Sequence, residues 1–159
     1  MRKMLLVDID KCTGCEMCVD ICSGSKVGAY SEKASRIRVD RDEIKSVFIP
    51  LVCEQCREHP CADICPVGAI RYDESLCIFN INEDTCTGCS ACKETCPYHG
   101  IFLAEGIAMK CDLCDGEPRC VSVCYPKALQ YAEITEGAIL DDLQNKISKL
   151  KKMGNDFHE

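Results

Sequence analysis

The sequence contains no tryptophan, and aromatic residues make up only 6% of it. A core dominated by large rings is therefore excluded, and an ordinary apolar core would be thin for a chain of this size. No run approaches the roughly 18 consecutive apolar residues that a membrane-crossing helix needs, so no membrane span is expected. Positive charge is scarce as well: 19 lysines and arginines stand against 26 acidic residues, for a net charge of −7. Proteins that bind nucleic acid carry basic patches to meet its phosphates, so nucleic acid is not an expected partner. The opening residues lack a signal-peptide core, because Asp8 and Asp10 interrupt the short apolar stretch after Lys3. Export is not expected; a cytoplasmic setting, where thiols stay reduced, is.

What the chain has in abundance is cysteine, seventeen in 159 residues. Such density belongs to a disulfide scaffold or to a metal protein, and the odd count with no export signal favours the metal. Bound metal would then supply much of the folding energy that the thin core does not.

The most informative stretch runs from Cys86 to Pro97 and sets Cys86, Cys89, Cys92 and Cys96 at the spacing C-x2-C-x2-C-x3-C-P. In this iron-sulfur run three cysteines hold one cluster and the fourth reaches a neighbouring one. The two-residue gaps let a tight turn aim three thiols at one cube, and Gly88 suits that turn because glycine reaches conformations closed to other residues. Three further groups repeat the theme. Cys12, Cys15, Cys18 and Cys22 have the same spacing, with Ser23 in place of the proline. Cys53, Cys56, Cys61 and Cys65-Pro66 widen the middle gap, and Cys111, Cys114, Cys120 and Cys124 widen it further. Recurring cassettes mean a repeated unit. A zinc site usually draws two close cysteines from one loop and two from elsewhere, whereas the first and third groups each offer three within seven residues, which suits a cubane.

The remaining cysteine, Cys77, sits among Leu76, Ile78 and Phe79 and is expected to be a buried structural thiol. His59, His99 and His158 are expected to be loop or surface residues rather than ligands. Strands are expected over Lys3 to Ile9, Arg36 to Val39, Val47 to Val52 and Gln130 to Ile134, with a hairpin from Arg71 to Asn82. Helical turns are expected at Val67 to Ile70 and from Pro126 to Leu129, and Tyr98 to Met109 reads as a short connecting segment. Arg36, Arg38 and Arg41 read as a solvated strand face, with a docking patch for an acidic partner as the alternative. In the tail Ile139, Leu143, Ile147, Leu150 and Met153 recur at helical spacing, Asp141 and Asp142 come early and Lys149, Lys151 and Lys152 late. That pattern predicts an amphipathic helix whose stripe docks on a partner subunit or a second copy.

The order of the four groups, His59-Pro60-Cys61, Cys65-Pro66-Val67-Gly68-Ala69-Ile70 and Lys110-Cys111-Asp112-Leu113-Cys114 resemble the four-cluster ferredoxin-like electron-transfer subunits. These accompany dimethyl sulfoxide reductase, formate dehydrogenase, hydrogenase, carbon monoxide dehydrogenase and tungsten-dependent aldehyde oxidoreductase. The resemblance covers roughly residues 3 to 134 and, from its compactness, is taken nearest to the small subunit of the tungsten enzymes. It implies four [4Fe-4S] clusters on sixteen cysteines. If paired groups exchange their fourth cysteines, and the second and third groups pair, site one is Cys12, Cys15, Cys18 and Cys124. Site two is then Cys53, Cys56, Cys61 and Cys96; site three is Cys86, Cys89, Cys92 and Cys65; site four is Cys111, Cys114, Cys120 and Cys22. The resemblance implies the same order.

The expected fold is thus α+β, with two nested ferredoxin-like lobes of two clusters each plus a C-terminal amphipathic helix. One lobe takes residues 1–30 and 105–134, the other 50–104, with 31–49 as a covering segment and 135–159 as helix and tail. No nucleotide fingerprint and no acid-base or nucleophilic constellation is present, so the chain is not expected to be an enzyme by itself. The expected role is to relay single electrons between a catalytic subunit, first choice a tungsten or molybdenum pterin enzyme, and a second redox partner such as a flavoprotein or ferredoxin. A free polyferredoxin carrier is the alternative, as is the subunit of a hydrogenase, formate or carbon monoxide dehydrogenase.

Overall fold

The computed structural model describes residues 2–134 and Ser148. The predicted tail helix from Ile139 to Met153, apart from Ser148, lies outside the described residues. Within them the chain forms four antiparallel strand pairs and four α-helices, a small α+β fold.

β1 (Arg2–Val7) pairs along its length with β8 (Leu129–Ile134), from Arg2 opposite Ile134 to Val7 opposite Leu129. The pairing continues as the Asp8 N–H donates to the Ala128 carbonyl at 2.7 Å, which brings the start of the first cysteine group beside the end of the fourth. β2 (Ile37–Asp42) and β3 (Val47–Val52) form the hairpin of the cysteine-free segment. Ile37 and Val39 alternate inward in the period of a half-buried strand. Pro50 is accommodated in β3 because a two-stranded sheet leaves every strand with an open edge, where no N–H is required.

β4 (Ile70–Asp73) and β5 (Ile78–Ile81) make the expected hairpin. β6 (Ile101–Ala104) and β7 (Ile107–Lys110) make another, inside what reads in sequence as a connecting segment. Its turn is Glu105-Gly106, both with positive φ (50° and 77°), the backbone that a two-residue hairpin loop of matching twist demands.

The helices fall within the cysteine groups. α1 spans Met17–Val27, α2 Pro60–Asp63, α3 Ala91–Thr95 and α4 Arg119–Val123. Helical turns expected after the last cysteine, at Val67 to Ile70 and from Pro126 to Leu129, are instead plain turns running into β4 and β8. The reason is proline: Pro66, Pro97 and Pro126 disfavour helical backbone in the residue before them and cannot donate the next helical bond, so each helix ends before its final cysteine. Ser23 imposes no such stop, and α1 runs on for 11 residues. Ser23 is fully buried; its hydroxyl donates to the Val19 carbonyl at 3.2 Å and accepts the Ser31 N–H at 3.0 Å.

Two apolar clusters form. The first gathers Leu5, Val7, Ile9, Val19, Ile37, Val39, Ile49, Leu51, Val52, Leu113 and Leu129 around Cys18, Cys22 and Cys120, and Ile78, Phe102 and Met109 join it from β5, β6 and β7. The second is small: Cys61, Ile70, Cys92, Ile101 and Ala108. The β6–β7 hairpin crosses position 105 and bridges the two clusters: Ile101 and Ala108 pack in the second, Phe102 and Met109 in the first.

Of the basic island, Arg36 and Arg38 are half-buried and Arg41 alone is exposed, and each of the three has a partner within the chain. Arg36 pairs with Asp112 and, at 3.0 Å, with Glu83; Arg38 lies 4.4 Å from the centre of the Phe102 ring; Arg41 pairs with Glu16. Lys26 joins the same Asp112 carboxylate at 2.6 Å. Burial alone would raise the Asp112 pKa, but the Lys26 hydrogen bond and the Arg36 charge outweigh it and hold the carboxyl below its usual range. These ion pairs tie the covering hairpin and α1 to the body of the chain.

Candidate metal centres

Three of the four helices start from a reversed backbone, α4 alone following an extended Pro118. Glu16 before α1, His59 before α2 and Ser90 before α3 all have positive φ (59°, 33° and 67°), and Gly14 and Gly88 sit two residues ahead of Glu16 and Ser90 at 69° and 67°. The matching Cys-Thr-Gly-Cys turns in the first and third groups thus have the same shape. In α1, Cys18 and Cys22 are four residues apart and so share a helix face. In the fourth group the backbone from Leu113 to Asp115 is left-handed at three successive residues, steadied by Asp112, whose carboxylate accepts the Cys114 N–H at 3.0 Å.

All seventeen cysteines are free thiols, and sixteen converge on four places. Cys12, Cys15, Cys18 and Cys124 line one cavity. Cys22, Cys111, Cys114 and Cys120 line a second. Cys65, Cys86, Cys89 and Cys92 line a third. Cys53, Cys56 and Cys61 line the fourth and the largest of the four. Cys96 lies close enough to all three for their thiolate charges to interact. Cysteines from the first and fourth groups therefore meet each other, as do those of the second and third.

Burial pushes the Cys18, Cys61 and Cys120 thiols up to about 12 and Cys56 to about 11, with neighbouring thiolates adding to it. Uncompensated thiolates are therefore costly in these pockets, as expected where a metal takes up the negative charge. Main-chain N–H groups point at the sulfurs: Arg36 donates to Cys22 Sγ at 3.3 Å, Ala69 to Cys65 at 3.3 Å, Gln55 to Cys53 at 3.4 Å and Leu129 to Cys124 at 3.4 Å. At Cys65 the slight effect of burial is overcome by N–H donors led by that of Ala69, and its pKa falls.

Cys15 and Cys89 are exposed, one in each of two cavities that share no wall. The other two cavities meet where the Gln55 side chain donates to the Cys111 carbonyl at 2.7 Å. Among the described residues no three Cys, His, Asp or Glu side chains converge tightly enough for a single ion. The thiols instead surround spaces fit for a group of several atoms, and four soft sulfur donors without harder partners suit iron-sulfur ligation.

Cys77 departs from expectation. It is half-buried, has a φ of 55° at the end of the β4–β5 turn, and lines the largest cavity beside Cys53, Cys56 and Cys61. The reversed backbone turns its side chain away from the inward position, which Ile78 takes instead. His59 also lines this cavity, its ring 4.2 Å from that of Phe79. Nothing in the sequence signals either placement.

A family model described as a 4Fe-4S dicluster domain matches residues 44–134, and another, a 4Fe-4S binding domain, matches residues 9–28. Among curated proteins the chain is 36% identical over 138 residues to the aliphatic sulfonate oxidoreductase polyferredoxin-like subunit of Pyrococcus furiosus, covering 86% of this chain and 79% of that protein. It is 33% identical over 166 aligned positions to protein NrfC of Escherichia coli, covering 94% and 71%. Among solved structures, a chain of the active site complex BamBC of benzoyl coenzyme A reductase with benzoyl-CoA is similar at 28% identity and a TM-score of 0.50, covering 92% of this chain and 89% of that one.

Proposed function

The chain belongs to the 4Fe-4S dicluster family, and on that premise we propose that it is the electron-transfer subunit of a multi-subunit oxidoreductase, built to hold four [4Fe-4S] clusters. The observation that carries this reading is the gathering of sixteen thiols, four to a place, around four separate cavities. We assign Cys12, Cys15, Cys18 and Cys124 to site one and Cys53, Cys56, Cys61 and Cys96 to site two. Cys65, Cys86, Cys89 and Cys92 form site three, and Cys22, Cys111, Cys114 and Cys120 form site four. Bound [4Fe-4S] clusters supply one-electron chemistry at potentials that the protein tunes. The N–H donors to Cys22, Cys53, Cys65 and Cys124 are part of that tuning, because they disperse charge on the ligating sulfur.

Sites one and four form an outer lobe on the first apolar cluster, and sites two and three an inner lobe nested within the chain. The two clusters, the β1–β8 pairing and the Gln55 to Cys111 bond support a row ordered one, four, two, three. Exposed Cys15 and Cys89 stand at the two ends of that row. Exposed apolar side chains lie beside both: Met17 and Tyr125 at site one, Ile64 and Val67 at site three. Such ends suit a catalytic subunit on one side and a flavoprotein or ferredoxin on the other. Relatives named as oxidoreductase subunits support the catalytic partner, and a tungsten or molybdenum pterin enzyme of the cytoplasm remains its proposed identity. The apolar stripe of Ile139, Leu143, Ile147, Leu150 and Met153 is its proposed docking element.

Anaerobic purification of the native protein tests the reading. A catalytic oxidoreductase subunit should co-elute with the full chain and be lost from a chain ending at Ile134 that keeps its iron. A full chain running as a lone monomer would contradict it.

A further inference from the structure

Among the described residues Lys110 is the buried cation, only 4% exposed. It ends β7, immediately before Cys111, and its ammonium reaches back across the chain. Nζ donates to Gln55 Oε1 at 2.9 Å, to the Phe79 carbonyl, and to the Cys111 carbonyl at 3.5 Å. Three acceptors match the three protons of an ammonium, which has no lone pair to offer. All three acceptors are neutral amide oxygens, so these bonds orient the charge without cancelling it. Gln55, which stands between Cys53 and Cys56, is itself fixed by its bond to the Cys111 carbonyl.

Lys110 lines the cavity of Cys53, Cys56 and Cys61; Arg57 lines it too, but Arg57 is exposed to solvent whereas Lys110 is not. The cavities of sites one and three have no lysine or arginine in their walls. The cavity of site four is lined by Arg36, which is committed to Asp112 and Glu83, and by Arg119, which is exposed to solvent. A positive charge in a dry site stabilises added negative charge far more than it would in water, and reducing a cluster by one electron adds one such charge.

We propose that the Lys110 ammonium raises the reduction potential of the cluster held by Cys53, Cys56, Cys61 and Cys96, with Gln55 the positioning residue that holds the ammonium in place. This rests on the four-cluster reading above. It makes the joint between the lobes, where site two meets site four, the more easily reduced part of the row.

The test is a redox titration followed by electron paramagnetic resonance on the anaerobically prepared full chain, with iron measured on every sample. Lys110→Gln should move one couple to lower potential by at least tenfold in its reduction equilibrium, about 59 mV for one electron. The other couples should move less, and Lys110→Arg should restore the wild-type value. Lys110→Met serves as the neutral variant if the glutamine protein fails to load. Gln55→Ala should shift the same couple in the same direction by less. Unchanged couples at full iron content would overturn the proposal, as would a shift that Lys110→Arg shares. Wild-type protein with too little iron for four clusters would instead overturn the reading on which the proposal rests.

Discussion

Around sites one and four, aliphatic residues from β1, α1, β2, β3 and β8 enclose the cysteines, and Ile49 and Leu113 are completely buried among them. Around sites two and three the buried cluster is Cys61, Ile70, Cys92, Ile101 and Ala108, so two of its five members are proposed ligands. The proposed outer lobe thus has an apolar core that holds its shape, whereas the proposed inner lobe lends Ile78, Phe102 and Met109 to that core and otherwise has two short hairpins and its thiols. Local stability should follow that difference, since metal binding is folding energy where the core cannot supply it.

The largest expected effect comes from removing the iron under anaerobic chelation. Amide protons of β4 to β7 should lose protection from hydrogen exchange well before those of β1, β8, β2 and β3. Simultaneous loss would mean that the lobes form one cooperative unit and that the contrast is wrong.

A smaller effect separates the matched glycines. A Cβ on Gly88 would stand 1.8 Å from the Gly106 carbonyl oxygen, whereas on Gly14 it would meet the Phe48 ring at 2.4 Å. A ring can swing aside, but the backbone of a hairpin turn cannot do so cheaply. Gly88→Ala should therefore cost ~4 kcal/mol or more, at the severe end for a point substitution. Gly14→Ala should cost ~1–2 kcal/mol, chiefly its left-handed backbone. Denaturant midpoints of the two loaded variants measure the difference, and equal losses would contradict it.

Ser23→Pro gives the first group the proline that follows the second and third. It removes an N–H inside α1 and the buried hydroxyl bonds, so stability should fall by ~3 kcal/mol, read as a lower denaturation midpoint. A neutral result would show that the long helix contributes nothing to the outer lobe.

Much of this contrast could be read in the residues and some could not. The α+β character, the β2 and β3 strands, the β4–β5 hairpin and the 4Fe-4S family follow from alternation and from cysteine spacing, which are local signals. The eleven-residue α1 was hidden because the departure at Ser23 reads as a lost proline rather than as permission to continue a helix. The Glu105-Gly106 turn is marked by two apolar runs separated by a glycine-containing pair, but each run is only four residues long, too short for alternation to define a strand. Cys77, His59 and Lys110 were beyond reach for a different reason. Their places around the largest cavity depend on a reversed backbone and on contacts between distant strands, which no spacing encodes. Arg36, just before β2, and Arg38 and Arg41 within it likewise find their partners in Glu16, Glu83, Phe102 and Asp112 across the fold.

The central claim is that four groups of four thiols each hold a [4Fe-4S] cluster. Iron and acid-labile sulfide, determined per chain on anaerobically prepared protein, test it directly. The account predicts about sixteen of each. About eight of each, or zinc in place of iron, would contradict it.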